Sequence, residues 1–198
     1  NGVEDKEYFA FSTTMNVFAE KASYEDCQLF KKLFPISEFH RDTLFINIYL
    51  KMLGKCEGLE SALEAFTTLE KEGKTKFNQQ TYNNLLSLIK NNSQLTKSSF
   101  INVLQLVSSM QGKGIAPNTV TLILLTKFCA DTQSSNYYKK ILKIVSIPAF
   151  QKNRILANST LNMIGACSSL TETFDFLESL LKESPNSICE VTFHTMFS

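Results

Sequence analysis

Four stretches of this chain repeat one plan: two segments with apolar residues at helical spacing, then a short turn. Thr43–Lys55 (TLFINIYLKMLGK) precedes Leu59–Glu72 (LESALEAFTTLEKE), and Gly73 closes the pair. Gln80–Asn91 and Ser99–Gln111 follow, closed by GKGIAPN. The third pair is Thr119–Ala130 and Asn136–Val145, closed by IPAFQKN, and the fourth is Ile155–Cys167 and Thr171–Glu183, followed by SPN. Taking Thr43, Gln79, Thr119, Arg154 and Glu190 as unit starts gives intervals of 36, 40, 35 and 36 residues. The long interval holds NNSQLTKSS, a polar stretch that reads as an insertion between two helices. A less regular pair, Glu7–Lys21 and Tyr24–Leu33, precedes them. One such pair cannot bury its apolar face by itself, so neighbours must stack. The spacing therefore predicts an all-α solenoid, one repeat domain over 1–198. Its units run over 7–42, 43–78, 79–118, 119–153 and 154–189, and another begins at 190–198. A chain that ends inside a unit reads as a piece of a longer protein.

Composition agrees. Four Pro and seven Gly among 198 residues are too few for a disordered linker or a many-turned β sandwich. Sixteen Phe and no Trp fit a Phe-rich core. Five cysteines, odd in number and without a CxxC pair, read as buried thiols in a reducing compartment. No apolar run reaches the roughly 20 residues that span a bilayer, so no membrane partner is expected. The chain does not begin with Met and shows no signal-like apolar segment, so any targeting segment is expected to be already absent.

The net charge of +1 conceals an uneven distribution. Residues 79–165 carry nine basic side chains against Asp131 alone, whereas 1–40 carry four basic and seven acidic and 166–198 one basic and five acidic. A local basic excess is the footprint expected for a polyanion partner. The plain alternative is a solvated, Lys-rich surface.

In QQTYNNLLSLIK, Tyr82, Leu85, Leu86 and Ile89 form one buried helix face, and Asn83 heads a separate stripe with Ser87 and Lys90. Asn is a poor helix former because its amide competes for backbone groups, yet it recurs at this register as Asn47 and Asn158. Beneath these positions lie Lys51 and Lys55, Lys127 beneath Ile123, and Asn162 beneath Asn158. A carboxamide offers a donor and an acceptor on a short stem and can pair with a base edge. A lysine one or two turns below can meet a phosphate. The ordinary role for such an Asn is a helix cap.

TLFINIYLKMLGKCEGLESALEAFTTLEKEG and TYNNLLSLIK…INVLQLVSSMQGKGIAPN resemble pentatricopeptide repeats, a family with the pattern VTYNTLI…A-L-LF-M---G-xPD recurring about every 35 residues. The resemblance is close in the units at Thr43 and Gln79, fair at Thr119 and Arg154, and loose before them. It implies a right-handed superhelix whose first helices line a concave face, each repeat reading one base of single-stranded RNA. The fifth residue of a repeat is then the main reader: Asn47, Asn83, Ile123, Asn158 and His194. The last residue is the second reader: Asn78 (Phe77 by strict count), Asn118, Asn153 and Cys189. The second residue wedges the base: Leu44, Gln80, Val120, Ile155 and Val191. Asn83 with Asn118 implies a pyrimidine preference, cytosine over uracil, and Asn47 with Asn78 a similar one. Ile123 departs from the pattern and marks a spacer or protein-contact unit.

The resemblance thus implies a non-enzymatic, cofactor-free RNA-binding platform of a mitochondrion, or of a chloroplast in a plant, for processing, stability, splicing or translation. Partners would include RNA-processing proteins or an organellar ribosome. The alternatives are a protein–protein scaffold with degenerate repeats, or the repeat arm of a larger RNA-processing enzyme. Tyr82 is expected in the core, and Tyr137–Tyr138 beside Lys139–Lys140 are expected to pack on an outer helix. No Cys/His spacing suits zinc, His40 and His194 belong to different units, and GKG at 112–114 ends a helix instead of opening one after a strand. No metal site is expected.

Overall fold

The computed structural model describes residues 13, 15–35, 42–91, 97–144 and 153–183, and these are all-α, with no strand among them. The helices are α1 Tyr24–Leu33, α2 Thr43–Cys56, α3 Leu59–Glu72, α4 Gln79–Asn91, α5 Lys97–Gly112, α6 Thr119–Asp131, α7 Tyr138–Ile144, α8 Arg154–Cys167 and α9 Leu170–Glu183. A helical stretch over 15–21 precedes them. Helices follow one another where the apolar spacing places them, α7 beginning at Tyr138. The last unit, with Cys189, Val191 and His194, lies outside the described residues, as do residues 7–12 and His40.

The chain packs as two compact units, Asn1–Asn92 and Ser93–Ser198, and the division falls inside the polar stretch NNSQLTKSS. In the first unit α2 packs against both α3 and α4. Ile46, Leu50, Met52, Tyr82, Leu85 and Ile89 are fully buried there. Tyr82 meets Phe66 edge-on at 5.6 Å, and Phe66 lies 4.7 Å from Phe77. On the other side of α2, Phe30 lies 5.7 Å from Phe45 and 4.9 Å from Phe34. Each buried ring of this kind stabilises by about 1.5–3 kcal/mol relative to exposure. Gly54 lets α2 and α4 approach: a Cβ there would sit 2.4 Å from a Leu88 methyl.

Local signals explain the helix ends. Ser23 and Asp26 form a reciprocal capping box at the start of α1. Gly73 closes α3 in the left-handed region at φ 67°, which glycine adopts without a Cβ penalty. One expectation fails in this unit. Cys27 of α1 and Cys56 at the end of α2 are joined as a disulfide, with Cα atoms 6.6 Å apart. They stand 29 residues apart in sequence, so only the packing of adjacent repeats brings them together, and no local spacing announces the pair.

In the second unit α6 and α8 pack along their lengths, and α7 and α9 cover them. Leu125, Phe128, Leu156, Ala157 and Met163 form their buried seam. Phe100 of α5 lies 5.7 Å from Phe128 and 4.8 Å from Tyr137. Cys129 and Cys167 are free and buried, as expected, their sulfurs 3.8 Å apart. Burial pushes both thiols above their ordinary range, and at Cys129 the neighbouring Cys167 adds to the shift.

Candidate functional site

The first helix of each repeat opens on a short polar side chain. Asp42 accepts from the backbone N–H groups of Leu44 and Phe45 at 2.9 and 3.0 Å, capping α2. Asn78 does the same for α4, its Oδ1 accepting from the Thr81 N–H at 3.0 Å and from the Thr81 hydroxyl at 3.1 Å. The Thr81 hydroxyl in turn accepts from the Asn78 N–H at 3.2 Å. Asn118 and Thr121 repeat the arrangement at α6, with 3.0, 3.0 and 3.3 Å. Asn153 caps α8 through the Leu156 N–H alone, at 3.0 Å, because Leu156 has no hydroxyl. Each cap is worth about 1 kcal/mol. Asn78, Asn118 and Asn153, expected as second readers, are therefore N-caps.

Asn47, Asn83, Ile123 and Asn158, expected as main readers, sit about one turn inside their helices. Asn47 and Asn83 are only 6% and 7% exposed, so the carboxamides are held by packing instead of waving in solvent. Asn158 and Ile123 are half-buried. In the first unit the structure brings two assigned readers together: Asn47 Nδ2 donates to Asn78 Oδ1 at 3.4 Å. Asn47 Oδ1 is buried and has no hydrogen-bond partner among the described residues. A buried acceptor left unpaired costs about 1–3 kcal/mol. Phe77, the strict-count alternative to Asn78, is buried in the ring cluster with Phe66 and Tyr82. Asn78 beside it is exposed.

The lysines divide. Lys51 makes an ion pair with Glu20 at 2.8 Å, and its hydrogen bond holds the Glu20 carboxyl below the usual carboxylate range. Lys55 and Lys127 are exposed, and Lys90 is half-buried without an ion pair among the described residues. Val120 and Ile155, two positions expected as wedges, are 52% and 60% exposed. Gln80 is exposed and donates to Asn84 Oδ1 at 2.7 Å. Tyr82 is core, as expected. Tyr138 is buried and Tyr137 packs on Phe100, while Lys139 and Lys140 sit over their rings at 5.6 Å each.

Among the described residues no group of three or more His, Cys, Asp or Glu side chains is placed to hold a metal ion, and no helix is long and apolar enough to cross a membrane. Thr81 and Thr121 are the site residues that the sequence pattern did not single out. Their signal was present, since an Asn followed three residues later by a hydroxyl is a capping signature.

The family model described as the pentacotripeptide-repeat region of PRORP matches residues 40–151, more than half of the chain. The chain belongs to the pentatricopeptide-repeat family. An Arabidopsis thaliana protein named as a mitochondrial pentatricopeptide repeat-containing protein is 23% identical over 127 residues, which is 64% of this chain and 19% of that protein. The crystal structure of pentatricopeptide repeat protein PPR10 in complex with an 18-nt psaJ RNA element matches with a TM-score of 0.62 at 16% identity, over 94% of this chain and 30% of PPR10. A form of PPR10 with three cysteines replaced by serine, with the same RNA element, gives the same figures. At that identity the likeness shows the fold: an all-α helical repeat of the solenoid class. The chain spans less than a third of either relative.

Proposed function

We propose that this pentatricopeptide-repeat chain binds single-stranded RNA, with Asn47, Asn83 and Asn158 as base readers and Asn78 and Asn118 as their second readers. Lys55, Lys90 and Lys127, together with Lys51 once it leaves Glu20, meet the phosphates. The observation that carries this reading is the Asn47–Asn78 pair: a packed carboxamide with an unpaired acceptor, beside an exposed one held by its cap. Such a site leaves the NH2 of the exposed Asn78 as a donor for a base edge, with Asn47 packed behind it. The RNA in the related PPR10 complexes supports it. The basic excess over 79–165 supplies a sequence-independent attraction. We place the activity in an organellar RNA platform, mitochondrial or chloroplast, serving processing, stability, splicing or translation as part of a longer protein. A pyrimidine preference belongs to the same proposal.

A second reading, a protein–protein scaffold, draws on two features of the second unit. Ile123 replaces the polar reader, and Leu170, Phe174 and Leu181 of α9 are 69%, 48% and 47% exposed. One titration separates the readings. Pyrimidine-rich and purine-rich single-stranded RNA are titrated at several salt concentrations with wild type and Asn83→Ala. RNA reading predicts affinity falling as salt rises, a pyrimidine bias, and a loss of about 1–3 kcal/mol in Asn83→Ala. Absence of binding at low salt overturns it in favour of the scaffold.

A further inference from the structure

We infer that Thr81 is a positioning residue for base selection by the Asn47–Asn78 pair, with Thr121 in the same role for Asn118; this rests on the RNA-binding reading above. An asparagine amide offers oxygen on one side and NH2 on the other, and the two are close in shape. A reader whose amide can turn over presents either a donor or an acceptor and distinguishes bases poorly. Selectivity therefore requires something that fixes the turn.

In this chain that element is Thr81. Its backbone N–H and its hydroxyl both donate to Asn78 Oδ1, at 3.0 and 3.1 Å, while the hydroxyl oxygen accepts from the Asn78 N–H at 3.2 Å. Accepting that N–H directs the hydroxyl proton toward Asn78 Oδ1, so the oxygen side of the amide faces the helix terminus and the NH2 side faces away. Thr81 is itself fully buried, so its hydroxyl has no water to turn to. The orientation passes to the main reader. Asn78 Oδ1 can only accept, so Asn47 must turn its Nδ2 toward it, at 3.4 Å. Asn47 Oδ1 is thereby left as the unpaired acceptor. Asn47 Oδ1 is buried, so what the pair presents to a base is the NH2 side of the exposed Asn78, in a fixed orientation and backed by Asn47.

The same constellation recurs at Asn118 and Thr121, which is also fully buried. It is missing at Asn153, where Leu156 supplies a backbone N–H and no hydroxyl. The junction at Asp42 lacks it as well, since Phe45 has no hydroxyl, so two of the four described junctions carry a hydroxyl lock and two do not.

The experiment uses the whole chain and oligo(C), oligo(U) and oligo(A) of equal length, with wild type, Thr81→Val, Thr81→Ser and Asn47→Ala. Val keeps the β-branched shape and removes the hydroxyl; Ser keeps the hydroxyl. The readout is the ratio of Kd values between the oligonucleotides, and thermal unfolding is followed in parallel. The ratio is expected to shrink about fivefold in Thr81→Val, as in Asn47→Ala, and to return in Thr81→Ser. Loss of selectivity in Asn47→Ala but not in Thr81→Val overturns the positioning role and leaves RNA reading standing. Equal loss in the Val and Ser variants also overturns it, since cap stability alone would then explain the effect. Failure of the wild type to bind any of the three overturns both proposals.

Discussion

At the scale of single residues, Asn47 shows stability given up at a buried polar side chain. Its Oδ1 lies buried without a partner, whereas the donors on Asn78 Oδ1 include two from Thr81 that do not depend on Asn47. Replacing the carboxamide by an apolar group of similar size removes the orphaned acceptor and leaves Asn78 satisfied. Asn47→Leu is accordingly expected to stabilise the chain by about 1 kcal/mol in urea unfolding while reducing base selectivity. A lower urea midpoint for Asn47→Leu counts against this account. The Asn register was legible in the sequence because an amide inside a helix is out of place. Its geometry was not, because the partner, Asn78, lies 31 residues away.

At the scale of elements, the approach of α2 to α4 rests on a missing side chain. A Cβ on Gly54 would meet both methyls and Cγ of Leu88 at 2.4, 2.7 and 3.0 Å, so the whole Leu88 side chain would have to move. Overpacking of this kind costs about 1–3 kcal/mol, set against a gain of about 1 kcal/mol for Ala over Gly inside a helix. Gly54→Ala is expected to destabilise in an otherwise wild-type chain. Its sign should reverse to stabilising in a Leu88→Ala background, where only the propensity gain remains, and a urea double-mutant cycle reads both. Helix limits were largely readable, because apolar spacing and terminal Asn, Ser and Gly residues act over a few neighbours. At α7 the apolar spacing starts at Asn136 and the helix at Tyr138, while Val145 lies outside the described residues.

At the scale of the molecule, a disulfide ties α1 to the end of α2. The Cys27–Cys56 disulfide closes a long loop in the first unit, with a sequence separation of 29. Closing a loop of that size stabilises by about 3 kcal/mol, chiefly by restricting the unfolded chain. Reduction, or Cys56→Ser, is expected to lower the urea midpoint of the native chain, and the same reductant should leave the Cys56→Ser protein unaffected. Cys129 and Cys167 are buried thiols and are expected to react with a thiol reagent only on unfolding.

The sequence by itself determined the repeat plan: helices in pairs at a regular period, the Asn register, the break at Ile123 and the basic stretch over 79–165. Those features follow from periodicity and composition, which are local or nearly so. Only the tertiary structure decided which repeated residues meet. It joined Cys27 to Cys56, set Leu88 against Gly54, buried Phe77 while exposing Asn78, and engaged Lys51 with Glu20. The physical reason is distance along the chain. Helical propensity acts over three or four residues, whereas these contacts join positions about one repeat apart and exist only once neighbouring pairs have stacked.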